Sequence, residues 1–388
     1  SMQKRDFFSY NIIIYGILGG ILTCIVPTLV IIEVSEQLGW SADLAANWIF
    51  GAMVLAGMAG LFLALKTKLP LNVASSVPAA VFVGFTVHQF PVEQVFFAFS
   101  VSGLVLVLIG VLKLYRRIER FMKLEIVMAM FSGTIIHYVL YILEVTANHV
   151  LWGVVGILTF IVASKLIPKF PAAIVVFGVL TIVLLLDGTL NTQSFQGTSL
   201  STTPTLGPIE GSLSIILTVS IPLAIISLFG EITIGNSILK AEGYRTNMDL
   251  SILVSGVATF FGGFFGSHSV SSSGGPVAVI SDSAVGDKDK RYLAAVWSSI
   301  FALLFGLISY PALSFLMAYP QSILKFIVGL LLLPVMMKTF SLSIGSGKFR
   351  YGTIVAFLIP LANISIFGVG AQFWALVFGV VVAYVMDR

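Results

Sequence analysis

The chain has 388 residues, of which 58% are hydrophobic and 10% charged, with a formal net charge of +4. Soluble domains carry about 25% charged residues, so 21 Lys+Arg and 17 Asp+Glu cannot cover a water-exposed surface of this size. A soluble enzyme, a nucleic-acid binder and a disordered chain are excluded, and the single cysteine, Cys24, excludes an internal disulfide and any multi-cysteine metal or redox centre.

The solvent that fits this composition is a lipid bilayer. A helix needs about 20 apolar residues to cross one. In chain order such spans are predicted near 11–32, 45–65, 71–88, 93–112, 124–143, 148–164 and 171–187. A polar linker (188–210) follows, then spans near 211–239, 248–265, 267–285, 292–318, 320–338, 351–366 and 370–386. The count is fourteen. With both termini in the cytoplasm, 20 of 21 basic residues fall on the cytoplasmic side, Lys325 being the exception. Glu33, Glu36, Asp43, Glu144, Asp187 and Glu210 fall on the opposite side. Seven is odd, so the second set of spans enters from the other face, which is the arithmetic of an inverted repeat.

Spans 3 and 10 do not read as continuous helices. Span 3 begins Leu71-Asn72-Val73-Ala74-Ser75-Ser76-Val77-Pro78, and span 10 begins Ser267-His268-Ser269-Val270-Ser271-Ser272-Ser273-Gly274-Gly275-Pro276. Each is small or β-tolerant up to a proline, which suits the first turn of a helix. Each is predicted to be an extended stretch of five or six residues to the midplane, then a half-helix of about ten residues (~15 Å). Strand backbone cannot face lipid, so the two stretches are expected to be buried and paired with each other. Their half-helix amino termini would then meet at mid-membrane and attract an anion or an electron-rich group.

Ionisable residues at membrane depth are candidates for function. Glu231 lies well inside span 8 with Gly235 one turn on, leaving room for a ligand. Removal from water disfavours the charged form of any carboxyl group, which is the property proton coupling needs. Asp282, in span 10, reads as a proton relay or as an interfacial acid, and His268 as a ligand contact or a satisfied core histidine. Cys24, Thr23 and Pro27 interrupt span 1, and Pro222 interrupts span 8. The histidines are scattered, and no metal-ligand cluster or nucleophile–base pair is visible, which argues against an enzyme or a resident cofactor.

Two stretches carry a family resemblance. Gly286-Asp287-Lys288-Asp289-Lys290-Arg291-Tyr292-Leu293-Ala294-Ala295 resembles the Asp-Lys-Asp-x-Arg-x-Leu-Ala-Ala signature of the benzoate:proton symporter (BenE-like) family. Leu239-Lys240-Ala241-Glu242-Gly243-Tyr244 is similar to that family's Lys-Ala-x-Gly-Tyr stretch. The family sits in the wider seven-plus-seven superfamily that includes nucleobase/ascorbate transporters. The resemblance implies a core domain of spans 1–4 (1–115) and 8–11 (211–318), and a gate domain of spans 5–7 (116–187) and 12–14 (319–388). It also implies an extracytoplasmic linker (188–210) and a homodimer. The pattern departs from the family at Glu231, where the benzoate transporters carry an uncharged residue. Glu231-Ile232-Thr233-Ile234-Gly235-Asn236 instead resembles the nucleobase transporters' Glu-x-x-x-Gly-Asp, with Asn236 for Asp. The second site carboxylate of that group has no match at Ser273, Gly274 and Gly275.

The expectation is an all-α polytopic protein of the bacterial cytoplasmic membrane, with short strands only in spans 3 and 10. Its expected function is proton-coupled symport of a small planar aromatic solute, a benzoate-like carboxylate by resemblance. The alternative is a nucleobase, and an anion exchanger or channel stands behind both. The ligand would contact Glu231, Gly235, Ser75, Ser76, Val77, Ser272, Ser273, Gly274 and Gly275, with His268, Asn236 and Cys24 as further candidates. Glu231 and Asp282 would carry the coupling proton, the only cofactor expected.

Overall fold

The computed structural model describes residues 2–195, 207 and 209–388. Residues 196–206 and 208 of the expected linker lie outside the described residues. Each of the fourteen expected spans contains at least one helix. In the first set they are α1 (Tyr10–Gln37), α2 (Ala42–Thr67), α3 (Val77–Thr86), α4 (Val92–Val111), α5 (Leu124–Asn148), α6 (Val150–Leu166) and α7 (Ala172–Leu186). In the second they are α8 (Leu213–Ala241), α9 (Met248–Gly263), α10 (Gly274–Ile280), α11 (Tyr292–Leu307), α12 (Gln321–Ile344), α13 (Arg350–Ala362) and α14 (Ala371–Met386). Among the described residues seven helices are long and apolar enough to cross a membrane, and six more are apolar with 10–17 residues.

Three helices outrun their predicted spans by five or six residues, α5 among them, which runs on from 143 to Asn148. Glu33, Ser35 and Gln37 end the apolar run of α1, yet Glu33 and Ser35 are buried, so the helix continues through Gln37. Glu33 therefore sits inside a helix rather than in an outer loop. Likewise α12 continues past Lys338 to Ile344.

The broken spans pair. Val73–Ser75 (β1) and Val270–Ser272 (β2) form a two-stranded antiparallel ladder, with Val73 opposite Ser272, Ala74 opposite Ser271 and Ser75 opposite Val270. The ladder is shorter than the expected five or six residues. It is lengthened by Ser76 N–H donating to Ser269 O (3.1 Å) and Ser273 N–H to Asn72 O (2.8 Å). All six strand residues are buried, as backbone at this depth requires. After β1, α3 has the expected ten residues. After β2, α10 has only seven, because Ser281-Asp282-Ser283 ends its apolar run.

Around this ladder α2 packs on α11, α4 on α9, and α1 on both α11 and α3. A separate group joins α5 to α12 and α13, and α13 to α14. The α4–α9 contact depends on glycine. A Cβ on Gly103 would lie 2.7 Å from Gly256 O, and one on Gly256 would lie 2.6 Å from Val107 N. Close helix approach through small residues is the usual basis of packing where lipid supplies no hydrophobic drive. Gly103→Val should therefore cost about 1–3 kcal/mol or more, read as a lower melting midpoint in detergent.

Helix α8 is irregular where it crosses the centre. Pro222 has no N–H to complete an α-helical bond, and the helix winds into π turns at Ile216–Ser220 and Ile226–Ile232. The freed Leu228 carbonyl accepts from the Thr233 hydroxyl at 2.7 Å. The second π turn carries Glu231.

Candidate substrate site

The strand-to-helix switches place two serines opposite the Glu231 carboxylate. Ser76 is the N-cap of α3: its hydroxyl accepts from Ala79 N–H (3.3 Å) and donates to Glu231 Oε1 (3.0 Å). Ser273 is the N-cap of α10, but its hydroxyl does not cap its own helix. It donates instead to Glu231 Oε2 at 3.1 Å. The backbone N–H of Gly274 lies beside the same carboxylate, so a group from α8 faces the uncapped first turn of α10.

Gly235 makes the close approach possible. A Cβ there would stand 3.1 Å from Ser273 O, so a larger side chain would push α8 away from α10. Ser76 is held from behind. His268 accepts from Trp48 Nε1 at Nδ1 (2.9 Å), and its Nε2 bonds Ser76 O (2.6 Å), which assigns the neutral Nε2–H tautomer. Asn72 donates to Thr23 Oγ1 (2.8 Å) and accepts from the Ser298 hydroxyl (2.6 Å), fixing the start of β1 between α1 and α11.

Beside Glu231 lies a cavity of about 490 Å³, inside the usual range for small-molecule sites of about 300–1,000 Å³. Of the sequence-predicted residues, Glu231, Ser75, Val77, Ser273, Gly274 and Gly275 line it. Ser76 reaches it through Glu231, which is 8% exposed. The others do not line it. Ser272 is fully buried, with its N–H on Ser255 Oγ. His268 is satisfied by Trp48 and Ser76, Asn236 donates to Ile232 O in its own helix, and Cys24 is fully buried. Asp282 accepts from Ala284 N–H at 2.8 Å and caps a short turn beyond α10. It sits there because aspartate is a strong cap and the apolar helix has already ended.

The opposite wall was not foreseen. It consists of Met128 and Phe131 from α5, Phe160 from α6, the 168–171 connection to α7, and Leu330, Leu331, Pro334, Lys338 and Thr339 from α12. Pro334 and Lys338, a helix-breaking residue and a charge within one apolar run, were the available signals. Lys338 and Lys169 give the cavity two cations against one carboxylate.

The sequence as a whole matches one family model, described as benzoate membrane transport protein, over residues 7–385. The chain belongs to that family. Relatives include the inner membrane protein YdcO of Escherichia coli (strain K12), 24% identical, with 91% of this chain and 93% of that protein covered. Another is the benzoate membrane transport protein of Acinetobacter baylyi, 21% identical over 99% of this chain and 96% of that one. Among solved structures, the fold is similar to the transmembrane domain of the cyanobacterial bicarbonate transporter BicA (TM-score 0.63, 14% identity, 97% of this chain and 98% of that one). It is also similar to SLC26A9 (TM-score 0.66, 14% identity), covering 96% of this chain and 64% of that longer one. The protein is thus a multi-pass membrane transporter. Its fold resembles these proteins, and its likeness to nucleobase transporters rests only on the sequence around Glu231.

Proposed function

We propose that the chain is a proton-coupled symporter for benzoate-like aromatic carboxylates, with Glu231 as the proton carrier. The observation that carries this reading is the set of donors around Glu231. An ionised Glu231 is itself a carboxylate, and it already takes Ser76 Oγ–H and Ser273 Oγ–H, with Gly274 N–H beside it. A substrate carboxylate entering the adjoining cavity needs the same kind of donors and meets the Glu231 charge. Once protonated, Glu231 no longer repels the anion and releases those donors to it. Proton and substrate then bind together. The apolar wall of Phe131, Leu330 and Leu331 takes the aromatic ring, while Lys338 and Lys169 favour an anion over a neutral nucleobase.

All fourteen spans cross the membrane in this reading, spans 3 and 10 each as a strand followed by a half-helix, as two inverted sets of seven. Exchanging the sets maps the α2–α11 contact onto the α9–α4 contact, and β1–α3 onto β2–α10, which supports the repeat. The cavity separates the core (α1–α4, α8–α11) from the gate (α5–α7, α12–α14), so their relative movement alternates access in the bacterial inner membrane, in a homodimer. Its lining includes 168–171, a connection the charge pattern assigns to the cytoplasm, so this conformation faces inward.

Ser76→Ala and Ser273→Ala test the shared donors. Each should weaken benzoate binding about tenfold, the worth of one hydrogen bond to a charged group (~1.5 kcal/mol). A benzoate-dependent thermal shift of purified protein reads this out. Unchanged shifts in both variants would refute the donor assignment. Saturable uptake in proteoliposomes separates this reading from a channel.

A further inference from the structure

A second carboxylate is buried away from the cavity. Glu33 lies in α1 beyond the cavity-lining Leu22, Val26 and Pro27, toward the end of the helix at Gln37. It is 1% exposed, and its Oε2 has no hydrogen-bond partner. Among the described residues, no lysine or arginine forms an ion pair with it. The groups facing it come from the other wall of the cavity: Lys325 from α12, and Tyr138, Tyr141 and Glu144 from α5, with Glu36 on its own helix. The neighbouring α3 has no titratable residue. Lys325 lies over the Tyr141 ring, 5.1 Å from its centroid.

This is also where α1 and α3 meet α5. The Tyr138 hydroxyl donates to Gln37 Oε1, and a Cβ on Gly84 of α3 would collide with that hydroxyl. Lys325 additionally lines a separate opening of about 310 Å³ with Glu144, Asn148, His149, Gln321 and Ser322. A charged carboxylate held as Glu33 is would have neither hydration nor a full set of partners. A neutral carboxylic acid carries a far smaller penalty. Opening the α1–α5–α12 contact would expose the same group to water.

We infer that Glu33 is a second proton-binding site, on the closure opposite the cavity, protonated when α1 is sealed against α5 and α12 and ionised when that seal opens. Closure of this face then takes up a proton, and opening releases it. Glu231 governs whether the substrate can bind, and Glu33 governs whether the face opposite the cavity can shut. The inference rests on the transporter reading but not on the identity of the substrate.

Glu33→Gln, neutral in every conformation, tests it in the full-length protein in proteoliposomes. Benzoate counterflow, which needs no net proton movement, should persist within about twofold of wild type. Its dependence on the pH of the face opposite the cavity should weaken by about tenfold per pH unit, the change expected when one proton-linked closing step is removed. A pH profile of counterflow identical to wild type, or loss of counterflow, would overturn the proposal. Infrared spectroscopy needs no substrate and covers a variant that fails to fold. Glu231→Gln should retain the carbonyl band of a buried protonated carboxylic acid at mildly acidic pH, and Glu33→Asp should shift that band. Absence of the band from Glu231→Gln refutes the second site while leaving the reading of Glu231 intact. Absence of benzoate counterflow from wild type, with the band present, refutes the substrate and not the second site.

Discussion

Glu231→Gln should abolish accumulation driven by a pH gradient while leaving benzoate binding in place. In the wild type, apparent affinity should fall about tenfold for each pH unit once Glu231 is charged, because one proton is bound with each substrate. The glutamine cannot ionise, so its affinity should be flat across the same range. Glu231→Ala goes further: it leaves the Ser76 and Ser273 donors without their resident carboxylate. Benzoate should then bind more tightly than in wild type at alkaline pH. Equilibrium binding at several pH values and gradient-driven uptake check both halves, and a glutamine variant that still accumulates substrate would remove Glu231 from the coupling.

The second large effect is expected at His268, which touches no ligand. His268→Ala leaves the Trp48 indole N–H without a partner and removes one of the two bonds at the Ser76 carbonyl, which keeps only Ala80 N–H, in a region that is fully buried around His268. Unsatisfied buried groups cost about 1–3 kcal/mol each, and the missing ring adds a cavity. A loss of about 3–5 kcal/mol is expected, which would lower the melting midpoint sharply. Substrate affinity should fall as well, because Ser76 is the hinge between β1 and α3. A variant with wild-type stability but abolished proton coupling would make His268 a proton carrier rather than a support.

What could be read in the sequence was the part governed by local chemistry. Ser-Val-Pro and Ser-Gly-Gly-Pro, each breaking an apolar run, located both strand-to-helix switches. Glu231, isolated in an apolar span, marked the site. What was missed depended on distant neighbours. The length of α10 is set by Ser281-Asp282-Ser283, which looked compatible with a continuing half-helix. Ser272 was grouped with Ser273, but successive strand residues point to opposite faces, so one serine meets Glu231 and the other is buried behind it. Glu33 read as a loop acid because the apolar run ends there. Its burial arises from α5 and α12, which are distant in sequence. The wall formed by α5, α6 and α12 is marked only by Pro334 and Lys338 in an otherwise apolar run, and packing is what brings these helices to the cavity.

The most direct measurement is the number of protons taken up per benzoate bound. Calorimetric titration in buffers of different ionisation enthalpy gives it without any transport assay. At a pH where Glu231 is charged in the empty protein, wild type should take up about one proton with each benzoate, and Glu231→Gln none. Benzoate binding to wild type with no proton uptake at any pH would contradict the claim that substrate and Glu231 compete for the same donors.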